Sequence, residues 1–182
     1  MSGAHFLIIG LRHFCRTALL TALIALAACA SSPPLPAPPA TEPTFNDYVI
    51  VPGVRIGSVS IGMTGKQLLD VMGSPQSALN YSDGAAYHYP GNFGVVLVNA
   101  TQQVVRVTAS ESSYQTQEGL KTGQTDLEMR TILGNPDETI NVGNDQSPYY
   151  RNCYDKKGIA VYVDWNGKIA SISVFNPGDT CL

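Results

Sequence analysis

Residues 62–75, GMTGKQLLDVMGSP, and residues 123–136, GQTDLEMRTILGNP, share one register 61 positions apart. Thr64 and Thr125 are placed as helix N-caps, whose hydroxyls accept from backbone N–H groups of the first turn. Gln67 and Glu128 follow three residues later, which completes a capping box in each copy. Asp126 and Glu128 also put negative charge where the helix dipole favours it. Leu68, Val71 and Met72, like Met129, Ile132 and Leu133, fall at i, i+3, i+4 and form one apolar stripe. Gly73 and Gly134 then supply a left-handed stop, and Pro75 and Pro136 prevent the helix from resuming. Each copy is a helix of about two to three turns, too short to be stable alone, so its stripe must lie on something else.

Outward from these helices, short β-rich runs alternate with turn signals. After Pro75 come 77–81, 85–89, 95–98 and 104–109, and after Pro136 come 139–142, 149–154, 158–163 and 169–175. Asn166-Gly167 reads as a type I′ hairpin turn. Tyr89 and Tyr150 also stand 61 positions apart. The expected fold is α+β: two tandem repeats of a helix followed by antiparallel strands, with the short helices packed on one sheet face. Repeat 1 would span 47–113 (helix about 64–73, strands about 77–109) and repeat 2 would span 114–182 (helix about 125–134, strands about 139–175).

Upstream, residues 1–28 read as a signal segment. Arg12 and Arg16 precede the twelve-residue apolar run TALLTALIALAA, which is too short for a permanent span. The run ends in Leu26-Ala27-Ala28-Cys29, which resembles a bacterial lipobox, with an ordinary A-x-A cleavage site as the alternative. The lipobox reading implies cleavage before Cys29 and multiple acylation of that cysteine, which anchors a protein stably where one chain would not. Ala30, in place of an aspartate, points to the outer membrane and its periplasmic side. Residues 29–46, with six prolines, read as a semi-rigid tether that reaches up to roughly 50 Å; a peptide ligand for a groove is the alternative.

The paired cap–helix–Gly-x-Pro pattern, the strand order and the lipobox together resemble the SmpA/OmlA group, the BamE-like small lipoprotein of the outer-membrane barrel assembly machinery, and the related β-lactamase inhibitor protein fold. The assembly lipoprotein is a single such unit, whereas the inhibitor carries two. The resemblance implies a protein-protein interaction module of the envelope, or an inhibitor or small-ligand-binding protein.

The residue inventory argues against an enzyme. Loss of the signal leaves His88 as the one histidine, and no G-x-S-x-G, H-E-x-x-H or phosphate-cradling glycine loop occurs. Removing Arg12 and Arg16 takes the formal charge from −3 to −5, so nucleic acid is a poor partner. With Cys29 acylated, Cys153 and Cys181 are expected to pair in an oxidising compartment. Two cysteines and a distant histidine do not make a metal site, and no cofactor motif is present. The candidate partner-binding residues are Tyr87, Tyr89, Tyr149, Tyr150 and Trp165, because Tyr and Trp are favoured at interfaces. Strand aromatics that line the core are the alternative.

Overall fold

The computed structural model describes residues 47–98 and 100–181. The expected signal segment, Cys29 and the Pro-rich tether lie outside the described residues. Among those residues the chain builds two sheets and two short helices. Strands β1 (Val49–Val51), β2 (Arg55–Ile56) and β3 (Val59–Ser60) precede α1 (Gly65–Met72). Next come β4 (Ser77–Asn80), β5 (Gly84–Tyr89), β6 (Phe93–Val98), β7 (Gln103–Ala109) and β8 (Gln115–Thr116). After α2 (Asp126–Leu133) follow β9 (Glu138–Asn141), β10 (Tyr150–Tyr154), β11 (Ile159–Val163) and β12 (Ile169–Phe175).

One sheet has eight strands in the order β4-β5-β6-β7-β12-β11-β10-β9; the other has four in the order β3-β2-β1-β8. This corrects the expected α+β build of two helix-then-strand repeats. Among the described residues the chain is mostly β, with α-helix in two eight-residue elements and a three-residue 3-10 helix at Asp155–Lys157. The two strand runs do not form separate units, because β7 and β12 pair from Ile172 with Ala109 to Phe175 with Arg106. Left apart, each would present a row of unsatisfied backbone groups, and pairing removes both edges. Residues before α1 also do more than lead in. With β8 they form the second sheet, in which β1 pairs parallel with β8 (Val49 with Gln115, Ile50 with Thr116).

The large sheet has two chemically different faces. Across neighbouring strands, one register row runs Ala78, Tyr87, Val95, Val107, Val174, Ile159 and Tyr154. Its members from Val95 to Tyr154 are at most 2% exposed. They share a core with Leu68 of α1, Met129 of α2, and Ile50, Ile56 and Val59 of the small sheet. The adjacent row crosses all eight strands as Ser77, His88, Gly94, Thr108, Ser173, Ala160, Cys153 and Glu138. Side chains alternate between faces along each strand, so this second row lies on the face away from the helices. We call it the open face because, among the described residues, no helix residue joins the cluster on it, although Ser173, Ala160 and Cys153 in this row are at most 2% exposed and Cys153 and Ala160 pack with Cys181 of the C-terminal tail.

Both helices carry the expected capping boxes. Thr64 Oγ1 accepts from Gln67 N, and Thr125 Oγ1 accepts from Glu128 N, with reciprocal bonds from the Gln67 and Glu128 side chains. Those bonds hold the Glu128 carboxyl below its ordinary range. Buried tyrosines tie down the other helix ends. Tyr154 Oη donates to Gly134 O at 3.0 Å, and Tyr89 Oη reaches Gly73 O at a longer 3.5 Å. Tyr89 is therefore matched in role by Tyr154, and the 61-position match with Tyr150 has no structural counterpart.

Burial pushes the Tyr154 hydroxyl up to about 12; Arg130 opposes the shift, and Asp126 and Asp137 add to it. A folded value above the ordinary 10 means the stabilisation is complete below about pH 10 and is lost as pH rises towards 12. Tyr154→Phe is expected to lower stability at pH 7 by about 1 kcal/mol, the size of one buried hydrogen bond. Urea midpoints of the two proteins at pH 7 and pH 11 check this, since the gap should narrow at the higher pH.

The Asn166-Gly167 turn also differs from expectation. Gly167 has positive φ (71°) and Asn166 does not. Gly167 N donates to Asp164 O, and Asp164 N donates to Lys168 O. That is a three-residue hairpin loop, a type I turn closed by a glycine bulge, with Trp165 at its first central position.

Candidate functional site

The five candidate aromatics separate into three environments. Tyr89 is 2% exposed, and Tyr87 is partly buried against the core. Neither is available to a partner as a whole ring, and for these two the core alternative holds. Tyr149 lies on the open face, where its ring stacks on Tyr162 with centroids 5.8 Å apart and its hydroxyl lies 3.5 Å from Ser171 Oγ. Arg151 and Ser171 are the direct cross-strand neighbours of Tyr162, so all four share that face. His88 is exposed on the same face, and among the described residues its side chain makes no hydrogen bond.

Tyr150 and Trp165 form a different site. Both line a cleft of about 350 Å³ on the helix side of the sheet, beside α2. Asp126, Arg130, Thr139, Asn152 and Asp164 line it with them. Trp165 is 67% exposed and Tyr150 is 40% exposed. The cleft is braced from several directions. Asp126 N donates to Gly167 O at 3.1 Å, which ties the start of α2 to the Trp165 turn. Arg130 Nε donates to Asp126 Oδ2 at 2.7 Å, and Asp164 Oδ1 accepts from Asn166 N and Lys168 N, each at 2.9 Å. At the base, Thr139 Oγ1 donates to Asn152 Oδ1 at 2.8 Å, which satisfies part of an amide only 1% exposed.

Cys153 and Cys181 form the expected disulfide, with Cα atoms 5.8 Å apart. The bridge fastens the C-terminal tail to β10 and packs against Ala160 and Phe175. Asp155 stands near the two sulfurs, but both are already bonded to one another, so this trio offers a metal no thiolate pair.

Sequence reasoning found Tyr149, Tyr150 and Trp165 but not that they serve two surfaces. It read Asp126 only as a helix-start charge, and it gave Arg130 and Asn152 no role. Their common signal is tertiary: α2, β9, β10 and the β11–β12 turn converge only after the sheet forms.

Among the described residues no helix is long and apolar enough to cross a membrane. No family model matches the chain, and no curated protein matches it. Solved structures show partial similarity. An extracellular protein containing an SCP domain from Bacillus anthracis str. Ames aligns at 9% identity and a TM-score of 0.45, covering 65% of this chain and 44% of that one. This chain therefore spans less than half of that protein's length. A DUF4309 family protein (YjgB) from Bacillus subtilis subsp. subtilis str. 168 aligns at 12% identity and a TM-score of 0.44, covering 68% and 88%. A putative beta-lactamase inhibitor protein from Streptococcus mutans aligns at 16% identity and a TM-score of 0.25, covering 62% and 81%. At these scores none assigns a function.

Proposed function

We propose that the protein is a non-enzymatic, lipid-anchored envelope protein of the SmpA/OmlA-like kind, held on the periplasmic side of the outer membrane and binding a protein partner through the open face. The observation that supports it is the Tyr149–Tyr162 stack with Arg151 beside it, on a face over which no helix packs among the described residues. Tyr and Arg are the side chains that carry most binding energy at interfaces, because each brings a large rigid contact and a polar tip. The disulfide-fastened tail stiffens the neighbouring end of that face, which lowers the ordering cost of association.

A photo-crosslinking side chain at position 162, in native envelopes, tests this reading. A discrete adduct is expected there and not from the same group at Lys66, an 84%-exposed position on α1. Arg151→Glu should abolish it. The same products from both positions, or none from either, would overturn the reading. The anchor has its own test. Cys29→Ser is expected to move the protein from the membrane to the soluble fraction and to remove palmitate labelling. Retention with undiminished label would reject the lipid.

A further inference from the structure

We infer that the cleft between α2 and the Trp165 turn is a carbohydrate site, taking a neutral, equatorially substituted pyranose stacked on Trp165. This goes beyond the protein-binding proposal and uses a different surface, so either can fail alone.

Trp165 is the starting point. It occupies the first central position of a type I turn, where most residues serve and none needs an indole. The turn is already held by the Gly167 N–Asp164 O bond and by Asp164 Oδ1. An indole left 67% exposed there adds nothing to the turn's own hydrogen bonding, yet it presents a flat apolar plate at the mouth of a cleft. Tyr150 adds a second aromatic wall. The cleft volume, about 350 Å³, sits at the lower end of small-ligand sites, which run from roughly 300 to 1,000 Å³.

The polar groups decide the ligand class. Arg130 is held through Nε, and among the described residues its terminal nitrogens make no hydrogen bond. Asp126 bonds through Oδ2 and Asp164 through Oδ1, so each carboxylate keeps one oxygen for a ligand. Donors and acceptors thus flank an aromatic plate. An anion would meet two carboxylates, and a cation would meet Arg130 on the same rim. A sugar hydroxyl both donates and accepts, so it satisfies both kinds of group at once. Equatorial substitution leaves a flat C–H face of the ring for the indole.

The chain contains a single tryptophan, so its fluorescence reads this cleft directly. Titrating the full chain with triacetylchitotriose is expected to give a saturable change in Trp165 emission. Asp164→Asn keeps the oxygen that accepts the turn's N–H groups but removes the charge, and it should weaken binding about tenfold, as should Arg130→Ala. Trp165→Ala should abolish binding in ligand-observed NMR while leaving the thermal unfolding curve in place. No saturable change at roughly 10 mM sugar, a concentration that would reveal even a site at the weak end of the range, would overturn the inference. So would a response to tri-lysine but not to the sugar, which would mark a cation site for a basic protein segment. Affinity unchanged in both Asp164→Asn and Arg130→Ala would also reject it.

Discussion

Gly158→Ala is expected to destabilise the protein by about 2–5 kcal/mol. Left-handed backbone costs a residue with a side chain about 1–2 kcal/mol, and overpacking a filled interior adds about 1–3. Gly158 has φ of +64°, and an added methyl would meet Phe175 O and the Gly53 Cα, both backbone atoms with no side-chain freedom to yield. The carbonyl of Gly158 also accepts from Gly53 N at 3.1 Å and Phe175 N at 3.0 Å. One residue thereby joins the β1–β2 hairpin of the small sheet to β12 of the large one. The substitution should pull these apart together, visible as a lower urea midpoint with amide exchange accelerated at both Gly53 and Phe175. Gly167→Ala, also at positive φ but with open space around it, should cost only the backbone share, so a larger loss at Gly167 than at Gly158 would contradict the steric argument.

The double substitution Cys153→Ser/Cys181→Ser should lower stability by about 3–4 kcal/mol in the loop-entropy account, given a sequence separation of 28. Burial of both sulfurs beside Ala160 and Phe175 means the serine pair also forfeits apolar packing. Wild-type protein under reducing conditions should lose nearly as much. Equal urea midpoints with and without reductant would mean that the tail is held by other contacts.

How legible this architecture was in the sequence depends on the range of the interaction. Thr64, Thr125, Gln67 and Glu128 announced the helix starts because a capping box closes within three residues. Turn glycines and β-branched alternation marked the strands for the same local reason. Joining β7 to β12, and β1 to β8, has no local signature, since any antiparallel or parallel edge offers the same backbone groups. That is where the repeat picture failed: matched pieces say nothing about which edges meet. Trp165 stood out as an aromatic in a turn, whereas Arg130 looked like any helix-surface cation. Its value comes from the Asp126 bond and from facing a turn some 35 residues downstream, which composition and spacing do not encode.

The β7–β12 seam also sets the order in which the large sheet can be assembled. Its pairs join Ala109 to Ile172, 63 positions apart, through Arg106 to Phe175, 69 apart, while the hairpins on either side close over short turns. Closing the longer loop requires more chain entropy to be given up before any hydrogen bond rewards it, and such non-local pairing places β-rich folds in the millisecond-to-second range. The middle of the sheet is therefore expected to be its youngest part during refolding. In pulse-labelling, the seam-facing amides of Val107, Ala109, Ile172 and Val174 should become protected after those of the outer hairpins, because Phe175 N, bonded to Gly158 O, places the alternate amides in their own hairpins; the pairing at the centre of the finished sheet is the last to form.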